Sequence, residues 1–186
     1  MPRIALARLL PLALATLASL VFAAPALSRP QSDAALMESI RQDVSAERIE
    51  RDIRTLVGFG TRHTLSETKS DTRGIGAARR WVYDEFLRIS DACGGCLEVY
   101  YQSDFVEGEK RIPERTEVVN VIAVQRGIVD PGRYVIMSGD IDSRVSDPMD
   151  FTSDAPGAND NASGLAGALE AARVLSKHKF AGSIVY

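Results

Sequence analysis

The chain has 186 residues, 45% of them hydrophobic and 25% charged, and a formal net charge of −3. This length accommodates one domain core but not obviously two. A charge balance without a basic excess gathered on one face excludes nucleic acid as a partner and gives no support for phosphate binding.

The N-terminal residues read as a leader rather than as part of the fold. Arg3 and Arg8 supply positive charge, and the run from Leu9 to Ala23 is interrupted only by Pro11, Thr16 and Ser19. Ala24-Pro25-Ala26 then offers the small residues that a signal peptidase reads. The apolar run falls short of the roughly 20 residues that a membrane helix needs. Residues 1–26 are therefore expected to be a signal peptide and 27–32 a linker, with 33–186 as the domain. An uncleaved membrane anchor is the competing reading. Export predicts a secreted or periplasmic protein with no stable membrane span after cleavage.

Leu36, Ile40 and Val44 recur at helical spacing. Ser45 is placed to cap a second helix in which Ile49, Ile53, Leu56 and Val57 share a face, and Gly58 and Gly60 end it. Thr61 to Ser70 reads as a polar loop. Ile75, Ala78, Val82, Phe86 and Ile89 line the next helix, with Asp71 or Thr72 as its expected cap.

Cys93-Gly94-Gly95-Cys96 follows that helix and precedes a strand, the reverse of the strand-to-helix context of a redox motif. Two cysteines cannot build a four-thiolate zinc site. In an oxidising compartment a local disulfide is expected. Its loop is so small that it constrains the unfolded chain only modestly.

Leu97, Val99, Tyr101 and Phe105 alternate as in a half-buried strand, and Gly108 to Arg115 reads as a hairpin connection. Val118 to Val124 is nearly all apolar, the pattern of a strand covered on both faces. Asp130-Pro131-Gly132 turns the chain into Tyr134-Val135-Ile136-Met137, expected as another buried strand. A long loop from Gly139 to Asn161 leads to a helix carrying Leu165, Ala168, Leu169, Ala172 and Leu175, and Gly182 opens a last strand. This order predicts an α/β fold, a three-layer α/β/α sandwich around a mixed central sheet. Such sheets carry their chemistry in loops at the C-terminal ends of strands, where the long loop lies.

That loop holds six aspartates between positions 140 and 160. Asp147, Asp150 and Asp154 read as a solvated acidic loop. Asp140 and Asp142 leave a strand two residues apart, and Asp160 precedes a helix whose N-terminus favours a carboxylate. Converging carboxylates repel unless a cation or donors neutralise them, so a metal is expected. The spacing does not fit an EF-hand calcium loop.

Ser138-Gly139-Asp140-Ile141-Asp142-Ser143 followed by Pro156-Gly157-Ala158-Asn159-Asp160-Asn161-Ala162-Ser163-Gly164 resembles the metal-binding segments of the di-zinc exopeptidases. These include secreted bacterial leucyl aminopeptidases, aminopeptidases S and Y, glutamate carboxypeptidase II and glutaminyl cyclase. Leu56 to Arg62 and Asn120 to Ala123 resemble theirs more weakly. The resemblance implies two zinc ions, a peptide substrate, Asp160 as the bridging carboxylate, and Asp142 as the group that orients the first ligand. Asp140 stands where the family normally has a histidine. Three outcomes stay open: Asp140 binds zinc through oxygen, it favours harder metals, or that position is empty. As a ligand it would lower the Lewis acidity of its metal and raise the pKa of the bridging water.

The resemblance implies a metallo-exopeptidase that cleaves N-terminal peptide bonds. A glutaminyl-cyclase-like acyltransferase and a non-catalytic binding ectodomain of the same fold are the alternatives. The family's general-base glutamate and remaining ligands have no counterpart in these residues, so the chain is expected to be a fragment, inactive alone and a poor zinc binder. Neither His63 nor His178 matches the family's final histidine ligand; His63 reads as a loop histidine held by local hydrogen bonds. Serine and glycosidase chemistry lack their residue patterns.

Overall fold

The alternating residues from Leu97 onward form β1 (Leu97–Val106), which pairs antiparallel with β2 (Thr116–Gln125). The register is unbroken, from Leu97 opposite Gln125 to Val106 opposite Thr116. In the computed structural model, which describes residues 32–186, two further strands complete a four-stranded sheet in the order β1-β2-β4-β3. β4 (Gly182–Val185) runs antiparallel to β2 and parallel to β3 (Asp130–Ile136), so the sheet is mixed, as the sequence predicts. The expected signal peptide and linker lie outside the described residues, Ser32 excepted.

Four helices accompany the sheet: α1 (Asp33–Asp43), α2 (Ala46–Gly58), α3 (Gly74–Ala92) and α4 (Ser163–Leu175). Ser45 caps α2 as expected, its Oγ accepting the Arg48 amide at 3.2 Å. α3 packs on β1 and β2, and α4 packs on α2 and α3. Leu56, Val82, Phe86, Ile89, Leu97, Ala123, Leu165, Leu169 and Ile184 join in one buried cluster, which unites three helices with three strands. Burying a side chain of this kind contributes about 1.5–3 kcal/mol, so this cluster is the main source of the fold's stability.

Buried Glu170 of α4 links the helices by polar bonds. It accepts the Ser45 amide at 2.7 Å and meets the Arg173 guanidinium at 2.6 Å. Cys93 and Cys96 form the expected disulfide, with Cα atoms 5.6 Å apart, in the turn between α3 and β1. Among the described residues no helix is long and apolar enough to cross a membrane.

Three local expectations are corrected. Neither Asp71 nor Thr72 caps α3. Its first amides go instead to the preceding loop: Gly74 N to Phe59 O at 3.2 Å, Ile75 N to Ser66 Oγ at 2.9 Å, and Gly76 N to Glu67 O at 3.1 Å. A Cβ at Gly76 would stand 2.1 Å from Thr68 O, so only glycine lets the helix start press on that loop.

β2 is not covered along its length; only Ala123, Val124 and Gln125 are buried. β4 reaches β2 only at Val124 and Gln125, with Tyr186 adding backbone bonds to Ala123. Nor is β3 buried: it is exposed throughout, with Ile136 at 72%. Among the described residues it is an edge strand with β4 as its one neighbour. Apolar content marked these strands as sheet, but burial depends on what lies across each face.

Candidate functional site

The aspartate-bearing loop leaves the end of β3 and turns immediately against the start of α4. A Cβ at Gly139 would lie 2.3 Å from the Leu165 amide nitrogen, so glycine permits this crossing. The crossing brings Asp140 toward the segment that carries Asp160. That segment, Ala158–Ala162, is not a regular helix: Asp160 and Asn161 have extended φ values of −120° and −134°, and the bond between them is cis. Asn161, not Asp160, serves the helix start, its Oδ1 accepting the Gly164 amide at 2.9 Å.

Asp140, Asp142 and Asp160 line one cavity of about 390 Å³, together with Ser143, Arg144 and Ser146. All three carboxylates are exposed. Asp142 accepts a hydrogen bond from Thr64 Oγ1 at 3.3 Å. Oxygen donors of this kind suit zinc. Among the described residues, however, no three His, Cys, Asp or Glu side chains stand close enough together to hold a metal.

The loop is held from below by Arg62, which is fully buried. Its Nε donates to Ile141 O at 2.9 Å, its Nη1 to Leu56 O at 2.8 Å and Pro156 O at 2.9 Å, and its Nη2 to Gly157 O at 3.1 Å. One guanidinium thus ties the end of α2 to both ends of the aspartate loop. Burial pulls the Arg62 pKa down, while the negative charge of Asp142 pushes it back up.

Ser143 adds a second clasp. Its Oγ accepts the Arg62 amide at 3.1 Å and donates to Ala155 O at 2.6 Å. His63 is held by local hydrogen bonds, as the sequence suggested: its Nε2 meets Pro148 O and its Nδ1 accepts the Leu65 amide, both at 3.0 Å.

The remaining aspartates shape the loop's own turns. Asp150 accepts the Thr152 and Ser153 amides at 3.1 and 2.9 Å, and the Ser153 side chain together with these amides holds its carboxyl far below the ordinary range. Asp154 pairs with Arg73 at 2.7 Å. Sequence reasoning did not find the roles of Arg62 and Ser143. The available signal was a charged residue inside a segment already marked by its flanking glycine and threonine, Gly60-Thr61-Arg62.

The segment that builds this cavity decides the relationship. Residues 120–185 match peptidase family M28. This match agrees with the likeness to zinc exopeptidases read from the sequence and covers 66 of the 186 residues, about a third of the chain. A probable zinc metalloprotease of Leptosphaeria maculans is 46% identical over 149 residues, covering 80% of this chain and 35% of that protein. A probable leucine aminopeptidase of Trichophyton verrucosum is 34% identical over 149 residues, covering 78% and 34%.

Among solved structures, a Zn-dependent exopeptidase from Parabacteroides distasonis aligns with a TM-score of 0.56 at 20% identity, covering 77% of this chain and 46% of that one. The glutaminyl cyclase of Macrostomum lignano aligns with a TM-score of 0.55 at 16% identity, covering 83% and 41%. These alignments bear on the fold alone. The chain spans about a third of the length of the curated relatives it matches.

Proposed function

We propose that this chain carries the first part of the active site of a zinc-dependent aminopeptidase that is exported. One observation carries the reading: Asp140, Asp142 and Asp160, from two separate segments, line one cavity inside the stretch that matches peptidase family M28. The sequence relatives named for metalloprotease and aminopeptidase activity favour hydrolysis over acyl transfer.

In this reading Asp140 and Asp160 are zinc ligands, and the complete protein holds two ions. Bound zinc supplies Lewis acidity and a water of lowered pKa. Asp142, held by Thr64 and facing the positive field of Arg62, keeps the Asp140 arm oriented. Ser143 and Arg62 fix the backbone on either side of it. No glutamate lines the cavity among the described residues, and in this reading the general base for peptide hydrolysis is a glutamate outside its lining.

The chain alone is therefore expected to bind zinc weakly and to leave aminoacyl anilides intact. Calorimetric zinc titration of the chain and of its Asp140→Asn and Asp160→Asn variants tests the ligand assignment. Weak binding that both substitutions reduce supports it. Binding that neither substitution changes, or none up to millimolar zinc, removes the assignment.

A further inference from the structure

Beside the aspartate cavity, α3, β1 and β2 wall a larger one of about 900 Å³. Arg79 of α3 stands in its wall and also lines the smaller space that reaches Asp140 and Asp142. Only 9% of Arg79 is exposed, and its Nε has no hydrogen-bond partner among the described residues. No carboxylate forms an ion pair with it there either; Glu117, which attracts it through space, is exposed. The neighbouring arginines differ. Arg80 pairs with Asp71 and donates to Thr68 O, and Arg115 lies over the Phe105 ring.

A buried guanidinium nitrogen without a partner is costly, and an arginine fork matches a carboxylate in two parallel bonds. The cavity adds hydroxyl donors from Tyr101 and Ser103. We infer that this cavity is a carboxylate-binding subsite, and that Arg79 holds the acidic group of a peptide whose other end lies toward Asp140 and Asp142. Naming the ligand a peptide rests on the peptidase reading above; the carboxylate preference rests on Arg79 alone.

The test is calorimetry on the chain in 1,10-phenanthroline, which strips metal and carries no carboxylate. Three probes separate the sources of the acid: Ala-Glu-amide offers a side-chain carboxylate, Ala-Gln a C-terminal one, and Ala-Gln-amide neither. At least one acidic probe should bind about tenfold or more tighter than Ala-Gln-amide, as a charge-assisted pair implies. Arg79→Gln should erase that preference, and Arg79→Lys should keep part of it.

Should Arg79→Gln fail to fold, the native chain still decides. Acetate should compete with the acidic probe and leave the neutral probe unaffected. Equal binding of all three probes to the native chain, or a preference that survives Arg79→Gln, overturns the inference. Because metal is absent throughout, failure of the zinc reading leaves these outcomes unchanged.

Discussion

Replacing Arg62 with methionine keeps the length of the side chain while removing the fork that holds the aspartate loop. Four carbonyls lose a donor, but not equally. Leu56 O also accepts the Phe59 amide and Gly157 O the Ala162 amide, so each retains a partner. Ile141 O and Pro156 O depend on Arg62 among the described residues. Both acceptors are only partly buried, so water replaces part of the lost bond and each costs about 1 kcal/mol, the low end of the range for an unpaired acceptor, for a net loss of about 2 kcal/mol.

Relief from burying an unpaired cation reduces that figure without reversing it, because breaking a satisfied buried network is the more expensive change. For a unit of this size the loss corresponds to a fall in melting temperature of about 6 °C. Circular dichroism melts of the native chain and of Arg62→Met measure it. Arg62→Lys should fall in between, since one ammonium cannot reach four carbonyls spread around a planar fork. A methionine variant melting within about 3 °C of the native chain would refute the view that this guanidinium holds the loop.

Gly139→Ala, whose Cβ would meet the Leu165 nitrogen at 2.3 Å, should lose about 2 kcal/mol or more in urea unfolding. Gly167→Ala, inside α4 with open space around it, should instead gain about 0.8 kcal/mol; equal effects would contradict the close-approach explanation. Removing the disulfide by serine at Cys93 and Cys96 should cost about 2 kcal/mol, the value for so short a loop, and a much larger loss would show that it does more than restrain the turn.

Glu170 gives a pH signature. Burial opposes its ionisation, but Arg173, the Ser45 amide and Arg48 outweigh burial and hold its carboxyl below the ordinary value. Its folded pKa is thus depressed, so its stabilisation is present above the unfolded glutamate value of about 4.3 and is lost as pH falls through the folded pKa. Urea midpoints should drop less steeply with acid in Glu170→Gln than in the native chain; parallel curves would exclude this group as the cause.

Periodicity sufficed for α2, α3 and α4 because each presents one apolar stripe to the core, as Leu56, Val82, Phe86, Leu165 and Leu169 do. The disulfide and the Ser45 cap were legible for a similar reason: both are local, fixed by residues three apart. The exposure of β3 was not legible, because Tyr134-Val135-Ile136 has the same composition whether or not a layer lies over it. At the site, Asp140, Asp142 and Asp160 stood out as acids at element ends. Arg62 did not, because its partners are backbone carbonyls at Leu56, Ile141, Pro156 and Gly157, which no side-chain pattern encodes.

The position of β4 bears on how the molecule assembles. The last described strand in sequence sits between β2 and β3, and β3 has no other strand to pair with among the described residues. The β1–β2 hairpin is local and can zip early during synthesis, whereas β3 must wait for Gly182–Val185 to emerge. Asp140 lies four residues beyond β3. The start of the acidic loop therefore gains its sheet anchor only once β4 has joined, while Arg62 ties both ends of the loop to α2 without that strand.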